Sequence, residues 1–532
     1  MKCFDLDEYL LPGIPACTFG RMSDTVYDAG VGLHDVRSYG DPEAIPFFSK
    51  NIGEEQCFEP VDLLHGPVPM TEADFLQRIT AFDRLNGDYH YQYCSDAASV
   101  RLFYRMRMVN LFWKNGTAWA EFPDDYMPSG EVVPHAVERT VTEISGADFE
   151  NYCESLKMAG FEQVFENAME NNTMYEFAVK TADFEAGERH RPAFLHAFFC
   201  GNTQVARFVL DEVSDAISAI DDGSAPDGSR TEFWQYALPY SKNRTGFTMD
   251  CGMCYVLRLD DGSLFMIDGG EYEQCSEKTT NALWKLMHDI TGTPEGGVIR
   301  IAGWFGTHAH DDHMDMFAHL LRLHHDGIRL ERMLFNYPDC SVYEWSAQGH
   351  LMINRVRKYY PDVKMRKLHI GDRFMLGGVR FTVLQTHEDD TGARGDENIG
   401  GFNDTSTVLK IEAGDGSVLI LGDVDNESER LLLEKYTEKT LHADVVQAAH
   451  HMINKLRYLY DVVKADYAVV PQTERCRTNH DHENYEQAAR TVPYDHFYFA
   501  QNGTDGFRVE NGGMKPFAHR APENSVYDGS PL

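Results

Sequence analysis

The residues able to do chemistry crowd into one short segment. His308-x-His310-x-Asp312-His313 places four ligand-type side chains within six residues. An apolar run, Val298–Trp304, precedes it, and an amphipathic helix marked by Phe317, Leu320, Leu321 and Leu323 follows. On an extended loop, residues i and i+2 point the same way, so His308 and His310 can grip one cation. The turn into the helix then redirects Asp312 and His313 toward a second cation, about 3.5–4 Å from the first. The bland reading is a solvated histidine-rich turn, and the strand-to-helix setting argues against it.

Other strand ends supply further candidates. Leu264–Ile267 runs into Asp268-Gly269-Gly270, Phe381–Thr386 into His387, and Leu419–Leu421 into Gly422-Asp423. Asp444–Ala449 runs into His450-His451. Side chains at the C-terminal ends of different strands can converge on one edge of a sandwich. Imidazole and carboxylate donors without thiolate suit zinc first, then manganese or iron. Asp268 reads as a hydrogen-bonding support for the histidine loop. No G-x-S-x-G nucleophile elbow, P-loop or G-x-G-x-x-G is present.

The elements that must position these residues occupy the second half of the chain. Expected there are the hairpin Cys254–Ile267 with its Asp261-Gly262 turn, and a helix around Asn281–Ile290. Strands are expected at Val298–Trp304, Val379–Leu384, Thr407–Glu412, Val418–Leu421, Val445–Ala448 and Tyr467–Val470. At 532 residues the chain is long enough for two to four domains. The turn-rich stretch Asp221–Ser229 marks the break. Residues 1–220 read as an α+β module, 221–235 as a linker, 236–515 as the catalytic domain and 516–532 as a flexible tail. The first module shows the aromatic hairpin of residues 99–122, a helix over 147–160, and strands at Met174–Lys180 and His196–Asp211. Its isolated histidines, His135, His190 and His196, read as packed or surface residues, and no chemistry-bearing motif is found in it.

Composition narrows the partners. Lys plus Arg number 48 against 84 Asp plus Glu, a net charge of −36 that argues against nucleic acid and against an anionic membrane. No stretch of about 18 apolar residues is present, and the acidic start lacks the basic and apolar regions of a signal peptide. The 11 cysteines are scattered and odd in number, which fits reduced thiols. A cytoplasmic location is expected. Cys251 and Cys254 form the one C-x-x-C, read as structural because no second pair follows it. The oligomeric state is not legible.

The motif T-H-x-H-x-D-H after a strand, with an I-D-G-G strand end before it, resembles the metallo-β-lactamase-fold hydrolases. The resemblance continues in order through Gly422-Asp423 and His450-His451, and covers residues ~236–515. Asn403-Asp-Thr-Ser406 before a strand, then G-D, then His-His, is similar to the branch of competence-type DNA-uptake nucleases and phosphorylcholine esterases. The resemblance implies an αββα sandwich, overall class α/β, around two divalent metal ions. It implies metal ligation by His308, His310, Asp312, His313, Asp423 and His450. Asp423 would bridge the pair, and Asp312 and Asp423 would be catalytic. His387 stands where many relatives carry a third imidazole. Asn403, His451 and His480 fall at places of second-layer or substrate contact, although Asn479 or Asp481 beside His480 also suits a helix N-cap.

The expected reaction is hydrolysis by a metal-bridging hydroxide, on a phosphodiester of a small molecule or a decorated polymer. A carboxylic ester, lactone or thioester hydrolase on the same metals is the rival. A di-iron oxidoreductase is disfavoured by His310, where that use of the fold usually wants Glu. A metal-stabilised scaffold with 1–220 as its partner surface is the non-enzymatic alternative. Residues 1–220 are expected to take part in substrate selection.

Overall fold

The structure is a computed structural model. It describes residues 22–28, 67–77, 91–94, 99–104, 107–121, 135–178, 194–212, 214–237, 241–242, 248–249, 252–270, 277–338, 347–389, 402–453, 456–478 and 482–521. His190, Cys251 and His480 lie outside these residues.

Two large mixed sheets form the second half. One is ordered by its central run, in which Cys254–Arg258 pairs antiparallel with Leu264–Asp268, which pairs parallel with Ile299–Phe305. The other runs Arg373–Leu376, Val379–Gln385, Val408–Ala413, Gly416–Ile420, Val445–Gln447, Tyr467–Val470 and Phe497–Phe499. Successive strand side chains point to opposite faces, so a strand buried on both faces must be apolar throughout. Leu264–Asp268 obeys this. Phe265 and Ile267 enter the core between the sheets, while Leu264 and Met266 enter a core under helices. Val418 and Ile420 likewise face the shared core, and Leu419 and Leu421 the opposite helices.

Helices Glu277–Thr291, Asp315–His324 and Ala347–Tyr359 cover the first sheet through Leu283, Phe317 and Val356. Asn426–Lys435, Leu459–Val463 and His482–Ala488 cover the second through Leu432, Tyr460 and Ala488. The result is a helix–sheet–sheet–helix sandwich in a mixed α/β chain.

The N-terminal module contributes a six-stranded antiparallel sheet. Helix Gly146–Ala159 packs on one face through Phe149, Tyr152 and Leu156, against Phe177, Leu195 and Phe208. Ser145 caps that helix, its hydroxyl accepting from the Asp148 N–H. The expected strand His196–Asp211 is a hairpin, Phe194–Cys200 and Val205–Glu212. A separate five-stranded sheet holds the hairpin of residues 107–121.

Two expected boundaries need correction. Glu232–Gln235, assigned to the linker, pairs with Cys254–Arg258 and Thr504–Glu510 inside the first large sheet. The rest of that linker is stitched down: Asp221 and Asp222 carboxylates accept from Met375 N and Gly377 N, and Ser224 Oγ from Gly378 N. Polar turn residues here satisfy the backbone of a neighbouring turn instead of water. Gly513–Arg520, whose residues 516–520 were read as tail, is a strand paired with Thr504–Glu510.

The other face of the N-terminal sheet docks on the sandwich. Met174, Phe198 and Cys200 meet Ile370 in a small apolar patch. Around it lie buried charges. Arg366 pairs with Glu176 at 2.6 Å and Asp372 at 2.9 Å, Arg207 with Asp389, and Lys435 with Asp389 at 2.6 Å. Removing one partner of a buried ion pair costs about 3–5 kcal/mol, because the other charge is stranded. Arg366→Met is therefore expected to lower unfolding stability by that order in urea titrations. A change under about 1 kcal/mol would show that the pair is solvated.

Candidate metal centre

The edge where the parallel strands end collects the chemistry. Ile299–Phe305 ends at Gly306-Thr307, and the histidine loop begins. Asp268, at the end of the neighbouring strand, ties this loop down. Its carboxylate accepts from Thr307 N at 2.8 Å and from Thr307 Oγ1 at 2.9 Å, and it meets His313 Nδ1 at 2.7 Å. The Gly269 that follows lets the next helix approach: a Cβ there would lie 2.4 Å from Phe317 Cβ.

Asp423 is held from the other sheet. Its backbone N–H donates to Ser406 Oγ at 2.9 Å, so the Asn403–Ser406 element positions the carboxylate. The preceding Gly422 takes φ +59°, and a Cβ there would lie 2.9 Å from Ser406. Gln447, missed by sequence reasoning, accepts from Leu421 N at 2.8 Å and Gly422 N at 2.7 Å and donates back to Gly422 O. The one available signal was a glutamine ending the otherwise apolar Val445-Val446.

Two groups of ligand-type atoms form, each with its members within 4.8 Å of one another. One is His308, His310 and Asp423, and the other is Asp312, His313, Asp423 and His451. Asp423 belongs to both. Its oxygens lie 3.7 Å from His308 Nε2, 3.3 Å from His313 Nε2 and 3.5 Å from His451 Nε2. Asp312 Oδ2 lies 3.1 Å from His451 Nε2, and His308 Nε2 2.9 Å from His310 Nδ1. His313 Nε2, His451 Nε2 and Asp423 Oδ1 are buried and face charged neighbours without an aligned hydrogen bond. Donor atoms that converge in the interior without aligned hydrogen bonds fit a cation between them.

The electrostatics agree. Burial lowers the His308 pKa well below the ordinary value, and that of His310 to about 4, so both are neutral donors. Burial alone would lower His313 and His451, but Asp423 and Asp312 raise both, His451 to about 9. Burial would raise the two carboxylates, yet His313 and His451 hold them below the usual range. Protons on His313 and His451 thus sit where divalent charge would serve, and cation binding would release them.

Two expected ligands stand elsewhere. His450 is not in either group. Its Nε2 is 3.7 Å from Asp423 and 3.2 Å from Asn403 Nδ2, and its side chain is 18% exposed. The backbone explains the exchange with His451: His450, His451 and Met452 all take positive φ, at 42°, 50° and 64°. That bend swings the second imidazole, not the first, against Asp312 and His313, with its Nδ1 facing Pro471 O at 3.3 Å. Three consecutive left-handed residues without glycine are strained, which is usual at functional sites. His387 is also outside both groups, its buried Nε2 2.9 Å from Asn336 Oδ1.

The Asp268 bond to His313 fixes which imidazole nitrogen faces the group. Asp268→Ala is expected to weaken zinc affinity 10–100-fold, measured by competition with a chelating dye. Unchanged affinity would show that the loop is held by other contacts.

No family model and no curated protein matches the chain. Solved structures show faint likenesses. Zn(2+)-bound PqqB from Methylobacterium extorquens is 12% identical with a TM-score of 0.34, over 51% of this chain and 99% of its own. CmlA, a diiron β-hydroxylase from Streptomyces venezuelae, is 12% identical with a TM-score of 0.33, over 89% and 92%. Tm1679, a metal-dependent hydrolase of the β-lactamase superfamily, is 12% identical with a TM-score of 0.27, over 50% and 95%. Overlaps this low identify neither reaction nor substrate.

Proposed function

We propose that the chain is a dinuclear metal-dependent hydrolase acting on a phosphodiester of a small molecule or a decorated polymer. The observation that carries this reading is the membership of Asp423 in both ligand groups, which gives one carboxylate two neighbouring cation positions. A strand-end carboxylate serving as an ordinary turn residue has no reason to be buried among four imidazoles.

Two divalent cations, zinc on this donor set, would supply a hydroxide near neutral pH and stabilise charge developing on the substrate. His308, His310 and Asp423 would hold one, and Asp312, His313, His451 and Asp423 the other. Asp312 is the partly exposed carboxylate, at 16%, so it is placed to orient water. Asn403 and His450, side by side next to Asp423, offer an amide and an imidazole to a substrate oxygen. The Asn403–Ser406 and His-His resemblance favours phosphorus over carbon, and the charge of −36 favours a small substrate over bulk nucleic acid. The N-terminal module is assigned a share in substrate selection. It docks on residues 366–389, which include the end of a strand running the same way as Gly416–Ile420.

The test is turnover by metal-reconstituted protein of bis-p-nitrophenyl phosphate against p-nitrophenyl acetate and a lactone panel. Phosphodiester turnover, lost on chelation and restored by zinc or manganese, is expected. Turnover of the carboxylic substrates alone would move the assignment to ester, lactone or thioester hydrolysis. Metal uptake without turnover of any would favour a scaffold.

A further inference from the structure

A second cluster of ligand-type side chains lies where the N-terminal sheet meets the sandwich. His196, Asp211 and His369 bring their ligand atoms within 4.8 Å of one another, and all three are buried. They arrive from three separate places. His196 and Asp211 sit on adjacent strands of the N-terminal sheet, in the register that pairs His196 with Val209. His369 follows the sandwich strand Lys364–Lys367.

We propose that these three residues bind a structural zinc ion that staples the N-terminal module to the catalytic sandwich. The site is independent of the dinuclear centre and of its assignment.

Atoms left over at the cluster support this. His196 Nδ1 and Asp211 Oδ1 are buried without a hydrogen-bond partner. Two imidazole nitrogens and both oxygens of one carboxylate would complete the four ligands that structural zinc usually takes. The His369 imidazole also has a carboxylate on its other nitrogen. Glu388 Oε1 lies 2.9 Å from His369 Nδ1. A carboxylate behind a ligating imidazole is the usual support of a metal-bound histidine, fixing the tautomer that turns its lone pair to the ion. Asp268 stands behind His313 in the same way at the dinuclear centre.

The charges admit the ion. Arg366, 3.4 Å from His196 Nε2, has its shorter bonds to Glu176 and Asp372, so these two acids neutralise it. Asp211 and Glu388 remain for the ion. His369 Nε2 lies 3.0 Å from Asp211 Oδ2, the separation of two neighbouring donors on one small cation. Burial alone would lower the pKa of His369, but Glu388 and Asp211 raise it to about 9. A proton therefore competes for the same place, and zinc must displace it. His196 is kept neutral by burial and by His369 and Arg366 beside it, the form that offers a lone pair.

The test uses the full-length chain carrying Asp423→Ala, which removes the carboxylate shared by the dinuclear groups. After exposure to zinc and gel filtration, one tightly held equivalent per chain is expected. Cobalt in its place should give tetrahedral d–d absorption. Adding His196→Gln should abolish both signals. If the double variant does not fold, the single variant His196→Gln keeps the test open: after the same zinc loading and gel filtration it should hold one equivalent fewer than the wild-type chain. Absence of zinc and of cobalt bands in the Asp423→Ala chain, or an unchanged equivalent after His196→Gln, would overturn the proposal and leave an imidazolium-centred ion network.

Discussion

Asp423→Asn is expected to remove turnover and to release both cations of the dinuclear centre together. Asparagine keeps the volume of the side chain and leaves the backbone N–H of residue 423 bonded to Ser406 Oγ, so the turn should persist. What changes is charge. The buried imidazoles His308, His313 and His451 lie within 3.7 Å of this carboxylate, and it belongs to both ligand groups. Loss of at least about three orders of magnitude in kcat/KM, roughly 4 kcal/mol of barrier, is the expected size. His310→Ala, by contrast, touches only one group and should release one cation. Metal content per chain and turnover, measured on the same preparations, check both statements. Equal metal loss in the two variants would show that the positions are not shared through Asp423.

The second large effect separates two adjacent histidines. His451→Ala should lower zinc content and reduce kcat roughly 100-fold or more, as loss of a ligand does. His450→Ala should leave the metal content unchanged and act on KM by less than about tenfold, because its imidazole meets Asn403 and stands outside both groups. The reverse result, with His450→Ala losing metal, would restore the order expected from sequence alone.

The geometry departs from that order for a physical reason. The types and spacing of His308, His310, Asp312 and His313 carry their own geometry, because contiguous residues between a strand and a helix have few ways to point. Asp423 was legible because a buried four-residue apolar run must be a strand, and a carboxylate just past its end lies at the edge of the sheet. His450 and His451 were not resolvable by such reasoning. Three positive φ angles in a row decide which imidazole turns inward, and no residue type there announces them. Gln447 was hidden as a single polar residue at a strand end, although it bonds three backbone groups of the Leu421–Gly422 turn.

The docking face of the N-terminal module was the least legible part. Glu176, His196, Arg207 and Asp211 find partners more than 150 residues away, so no local spacing records them. On their own strands they read as stray polar residues among Phe194, Leu195, Phe198 and Phe208. The linker was misread for a related reason: Asp221, Asp222 and Ser224 have the composition of a solvated turn but are spent on the backbone of residues 375–378. The layered sandwich itself was legible, since its doubly buried strands are continuous apolar runs and its helices carry one apolar stripe.

Anomalous diffraction from crystals of the zinc-loaded chain, recorded on both sides of the zinc absorption edge, reaches the dinuclear centre most directly. Two peaks about 3.5–4 Å apart are expected, one beside His308 and His310, the other beside Asp312, His313 and His451, with the Asp423 carboxylate between them. A single peak there, or none at full zinc loading, would contradict the shared-carboxylate centre.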